Sequence, residues 1–162
     1  MWGLNAAGQV FEYNPSTQGW QQIPGTLAQL AVGADGSVWG LNAAGQIYQF
    51  NALTQGWEEI PGSLAQIAVG SADNVWGMNG AGGIYRYEPQ QQTWESIPGS
   101  LASLAVAFDG TVWGLNSAGQ IYRYDSEQQT WDSIPGQLTQ ISVGADAVVW
   151  GLNASGQTYV YW

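Results

Sequence analysis

Apolar and polar residues alternate along the chain in short runs, and no stretch keeps a helical period over ten or more residues. Between Leu27 and Ser63 four apolar-rich segments follow one another: Leu27–Val32, Ser37–Asn42, Gln46–Phe50 and Gly56–Ile60. Each is short, carries β-branched or aromatic residues and is bounded by turn residues, which predicts strands. The run Val38-Trp39-Gly40-Leu41 is apolar without clean alternation, so this strand is expected to be buried on both faces. The first segment holds small residues, Ala28 and Ala31, as do its counterparts with Ala65, Ala68, Ala102 and Ala105, which suits a crowded innermost strand. Gly40 is expected to leave room for an aromatic ring against the backbone. Asp35-Gly36 and Asp109-Gly110 predict tight hairpins, because glycine accepts positive φ. Asn42-Ala-Ala-Gly45 predicts a four-residue turn, and Pro61-Gly62 a type II turn leading into the next unit. Asn14-Pro-Ser-Thr-Gln-Gly19 predicts a longer loop with proline early and glycine late.

The segments recur. Trp2, Trp39, Trp76, Trp113 and Trp150 each precede a glycine, and each lies 37 residues after the last. Trp20, Trp57, Trp94 and Trp131 keep the same step, as do the Ile-Pro-Gly triplets that open at Ile23, Ile60, Ile97 and Ile134. Four short antiparallel strands per unit of about 40 residues make a propeller blade. The predicted fold class is therefore all-β, a β-propeller of four-stranded antiparallel blades on a 37-residue repeat. A single tandem-repeat domain over residues 1–162 holds four full repeats plus a duplicated partial one, in which 2–14 repeats the pattern of 150–162. A partial blade leaves an unpaired sheet edge. The expectation is a ring completed by another chain, a homo-oligomer formed through strand exchange or shared blades.

Composition then narrows the chemistry. The net charge is -10, Arg86 and Arg123 are the only basic residues, and lysine, histidine and cysteine are absent. Too few cations are present to neutralise nucleic-acid phosphates or to dock on an anionic membrane. No apolar run reaches the ~20 residues of a membrane span. No charged segment followed by an apolar one opens the chain as a signal peptide would. A soluble protein that binds no nucleic acid and inserts in no membrane is expected, and cytoplasmic storage fits it. Without His and Cys no His-dependent triad, thiol nucleophile or His/Cys metal site can be assembled, so no enzyme activity, cofactor or metal is expected. Asp35, Asp109 and Asp146 supply one carboxylate per turn, too few for a calcium shell. Glu58 and Glu59 are neighbours on one strand and point to opposite faces, which argues against a glycosidase pair.

The run Trp57-Glu-Glu-Ile-Pro-Gly-Ser-Leu-Ala-Gln-Ile-Ala-Val-Gly70, followed by Val75-Trp-Gly-Met-Asn79 and Ile84-Tyr-Arg-Tyr87, resembles the tectonin repeat. The resemblance covers essentially the whole chain. The family includes tectonins, fish-egg lectins and the lipopolysaccharide-binding tachylectin type. It implies a propeller, commonly six-bladed, that binds bacterial or methylated glycans. This chain carries fewer repeats than that, and its lack of lysine weakens the lipopolysaccharide reading. Tyr13 to Trp20 also echoes a kelch segment, but kelch units are nearer ~50 residues.

A glycan site would draw on four sets of residues. Trp39, Trp76, Trp113 and Trp150 are either core between blades or ring edges lining a groove where a sugar packs. Asn42, Asn79, Asn116 and Asn153, with Asn5, are either turn formers or amides that pair with sugar hydroxyls. Tyr48, Tyr85 and Tyr122 stand on the third strand beside them. Arg86 and Arg123, one repeat apart, are surface charges or forked donors for vicinal hydroxyls or a sugar carboxylate. The leading expectation is a lectin with equivalent weak sites between blades, combined by avidity. The alternative is an engineered or reconstructed symmetric scaffold that self-assembles and requires no ligand. Fold maintenance accounts for the repeated Trp, Pro and Gly more completely than for the repeated Asn, which favours the lectin.

Overall fold

The structure is a computed structural model that describes residues 1–161. The first sheet holds β1 (Trp2–Leu4), β2 (Gln9–Asn14) and β3 (Gly19–Thr26). The second holds β4 (Gln29–Val32), β5 (Val38–Leu41), β6 (Gln46–Asn51) and β7 (Gly56–Ser63). The third holds β8 (Gln66–Ser71), β9 (Asn74–Met78), β10 (Ile84–Glu88) and β11 (Thr93–Ile97). The fourth holds β12 (Ser103–Val106), β13 (Val112–Leu115), β14 (Gln120–Asp125) and β15 (Thr130–Gln137). The fifth holds β16 (Gln140–Val143), β17 (Val149–Leu152) and β18 (Thr158–Tyr161). Strands follow one another in chain order and every pair is antiparallel, as expected of propeller blades.

The first strands of successive units lie side by side, β4 against β8, β8 against β12 and β12 against β16, so they form the inner edge, with Ala31, Ala68 and Ala105 on the first three and Ser142 on the fourth. Small side chains let these strands crowd together. Glutamine ties them: Gln29 donates from Nε2 to the Ile67 carbonyl (3.5 Å) and accepts from the Ile67 amide (3.1 Å). Gln66 repeats the first of these bonds to the Leu104 carbonyl at 3.3 Å. At the same repeat position Ser103 is too short to reach across, and its hydroxyl is buried without a partner.

Between successive sheets the second strands supply the core. Trp39, Trp76, Trp113, Val75 and Val112 are buried, and β5 and β13 are buried along their whole length, as the lack of alternation predicts. The segment linking two units is held by both. Leu64 donates its amide to the Gly45 carbonyl of the preceding sheet, and Ala65 donates to the Met78 carbonyl of the following one.

Three local expectations are corrected. A Cβ at Gly40 would strike the Leu27 side chain, so the glycine makes room for an aliphatic residue and not for an aromatic ring. Pro61-Gly62 is not a turn. β7 runs through it to Ser63, with the register slipping between Ile47↔Ile60 and Gln46↔Ser63 and Gly62 at φ 125°. This is a bulge on an outer strand, where a missing N–H is tolerated. In the loop after β2 the left-handed residue is Gln18 (φ 52°), not Gly19, and Gln55, Gln92 and Gln129 repeat it. The Asp-Gly hairpins do use glycine at positive φ: Gly36 and Gly110 both stand at 88°.

Candidate functional site

Alternation along the strands decides which residues can meet. In the β5–β6 register Trp39 stands opposite Gln49 and Gly40 opposite Tyr48, so Trp39 and Tyr48 project from opposite faces of one blade. Trp39 turns to the third sheet, where its ring meets Tyr87 (centroids 5.0 Å apart) and Trp94 (6.4 Å). Trp76 makes the same pair of contacts with Tyr124 and Trp131, and Trp113 meets Tyr161. These three indoles are interior walls and present no edge to solvent. Trp150 differs, with half of its surface open. Burial also pushes the Tyr87 and Tyr124 phenols up from their ordinary values.

The asparagines are consumed by their own turns. Asn42 Oδ1 accepts from the Ala44 and Gln46 amides, both at 3.0 Å, and Nδ2 donates to Gln46 Oε1 at 2.7 Å. Asn5, Asn116 and Asn153 repeat all three bonds. Turn formation thus explains the repeated Asn fully, which removes them as an argument for a ligand. Asn79 is the exception in part. Gly83 stands where the others have Gln, and Asn79 Nδ2 donates instead to Tyr85 Oη at 3.2 Å. Asn153 makes a similar bond to Tyr159 Oη.

Those bonds bring the asparagine turn and the third-strand tyrosine together. Asn42 and Tyr48 line a cleft of about 210 Å³ between the first and second sheets, with Trp57 and the Gly25-Thr26-Leu27 link. Gly25 lies against the Trp57 indole so closely that a Cβ would sit 3.1 Å from its Cδ1 and Nε1. Gly62 on Trp94 and Gly99 on Trp131 repeat this packing. None of the second-strand tryptophans expected at a groove, Trp39, Trp76, Trp113 and Trp150, lines this cleft. Its aromatic wall is Trp57, of the fourth-strand series that Trp94 and Trp131 continue at the same 37-residue step.

The arginines stand apart from the cleft and are occupied. Arg86 donates from Nε to Glu88 (2.8 Å) and from Nη2 to Glu95 (2.7 Å), while Arg123 lies 3.6 Å from Asp132. Such exposed pairs add little stability, but they do orient the guanidinium toward carboxylates of its own blade.

Wider grooves repeat beside the asparagine turns, at about 380, 710 and 410 Å³ between successive blades. Alanine, glycine and serine line them together with Gln, Asn, Leu and Met, without an aromatic wall. A separate apolar cleft of about 290 Å³ lies among Trp113, Pro135, Gly136, Leu138 and Tyr161. Here Gly136 meets only Ile121, where the earlier glycines meet an indole. Among the described residues no cluster of three or more carboxylates could hold a metal ion, and no helix is long and apolar enough to cross a membrane.

The Tectonin domain family model matches residues 1–162, the whole length of the sequence. No curated protein sequence matches significantly. Many solved structures share the fold. One, described as YCF48 bound to D1 peptide, superposes with a TM-score of 0.69 over 98% of this chain at 15% identity. This chain spans 60% of that one.

Proposed function

We propose that this chain, which belongs to the tectonin family, is a carbohydrate-binding protein and not an enzyme, taking glycans in the repeated clefts between blades. O-methylated and bacterial surface sugars are the favoured class. The reading rests on one observation, the cleft where Tyr48 of one blade faces the Gly25–Leu27 link of the preceding one beside the Trp57 ring, with the Asn42 turn at its rim. A sugar presents an apolar C–H face and a rim of hydroxyls. An indole and a phenol side by side offer a matching apolar wall and polar handle. An O-methyl group suits the glycine-lined side. The same residue types recur at Tyr85 with Trp94 and Tyr122 with Trp131, and a site at each would raise a weak single-site affinity by avidity.

The test is saturation-transfer NMR with a panel of methyl glycosides and O-methylated monosaccharides. Transfer concentrated on ring C–H or O-methyl protons, reduced in Tyr48→Phe, Tyr85→Phe and Tyr122→Phe combined, is the expected result. Uniformly absent transfer from the folded protein contradicts it. The scaffold reading gains one observation of its own, since the repeated asparagines are explained by turn formation alone. It predicts silence across the panel.

A further inference from the structure

One contact set recurs at every interface between blades. A second-strand tryptophan meets the third-strand aromatic of the next blade: Trp2 on Phe50, Trp39 on Tyr87, Trp76 on Tyr124 and Trp113 on Tyr161. In the first three it also meets the fourth-strand tryptophan, Trp57, Trp94 or Trp131. Trp150 occupies the same position on β17, yet 51% of it is exposed. At the other extreme of the row, Tyr13 and Trp20 hold the receiving positions, and Trp20 is 52% exposed. The receiving pair is already set. Tyr13 and Trp20 lie 5.5 Å apart at 63°, against 5.3 Å and 61° for Phe50 and Trp57. Two half-exposed indoles therefore sit on faces that complement each other by the rule the molecule applies internally.

We propose that a second copy of this chain docks head-to-tail on the open face of the fifth sheet, its Tyr13–Trp20 pair closing over Trp150. The inference rests on no ligand. Burying two indoles removes a large aromatic area from water, and no strand has to leave its sheet. The two faces differ, so the contact is heterologous and either closes into a ring or continues as a filament.

Trp20→Glu spoils one face and Trp150→Glu the other, and each chain keeps one good face. At tens of micromolar, where modest interfaces are populated, sedimentation should show the wild-type chain as dimers or larger species. Each variant alone should be a monomer. Their equimolar mixture should give a species of twice the 17.3 kDa chain mass and nothing larger. Near-UV circular dichroism of each variant establishes that it is folded. A monomeric wild-type chain would overturn the proposal, and that arm needs no variant. Assembly that survives Trp150→Glu would also overturn it, in favour of β3 pairing to the free edge of β18.

Discussion

Trp39 and Tyr87 belong to neighbouring blades, and their rings meet edge to face with centroids 5.0 Å apart at 69°. The contact repeats with the 37-residue step, so one sequence position has one job in each copy except where burial differs. That exception gives the first prediction. Trp76→Ala should lower stability by about 3–5 kcal/mol, the range for truncating a buried large aromatic. Trp150→Ala, at the same repeat position but half exposed, should cost well under half as much in dilute solution. Urea denaturation of both variants checks this, and equal losses would mean that burial does not govern the site.

Ser103 interrupts the row of glutamines that ties inner strands together. Its hydroxyl is buried without a partner, where Gln29 and Gln66 reach the next blade's backbone. Ser103→Gln should restore a bond toward β16 and remove the orphaned hydroxyl, adding about 1 kcal/mol. A thermal melt that falls in this variant would show that the gap is too narrow for the longer side chain.

Ala147 stands at φ 63°, at the repeat position that Gly36 and Gly110 hold. The left-handed region costs an alanine roughly 1–2 kcal/mol, and glycine's greater chain entropy offsets part of the gain. Ala147→Gly should therefore stabilise by about 0.5–1 kcal/mol. Chemical denaturation with an unchanged m-value would report it.

Asp35 links two blades, accepting from Ser37 Oγ and from the Ala72 amide of the next sheet at 2.7 Å each. Partial burial raises its pKa, but these bonds and the Ser37 amide together outweigh that, and the net value is lowered. A carboxylate with a depressed folded pKa adds stability that is complete above its unfolded value and is lost as pH falls through the folded one. Stability curves from neutral to acid pH should show this loss in the wild type. Asp35→Asn should be less stable at neutral pH, and the two curves should converge in acid.

Much of this was legible in the sequence. The equal spacing of Trp39 and Trp76, with the turn residues at Asn42 and Gly45, located the first three strands of a unit within a residue or two, because turn chemistry is local, while the fourth runs three residues past Ile60 to Ser63. What the repeat could not supply was orientation. Whether Trp39 and Tyr48 share a face depends on the β5–β6 register, and the Gly40↔Tyr48 pairing puts them on opposite faces. Pro61-Gly62 satisfies both a turn and a bulge locally, and only pairing with β6 selects the bulge. The choice between a surface charge and a ligand donor at Arg86 stayed open in the sequence because Glu95 lies nine residues away, across a hairpin that brings them into register.

The most direct test of glycan recognition is an array of bacterial and O-methylated glycans probed with fluorescent protein, wild type beside the Tyr48→Phe, Tyr85→Phe and Tyr122→Phe combination. Selective binding by the wild type, weakened at least tenfold in the variant (about 1.4 kcal/mol), is the result expected if the clefts are the sites. Binding that is unchanged in the variant would place recognition elsewhere on the molecule. An empty array from folded protein would contradict the lectin reading itself.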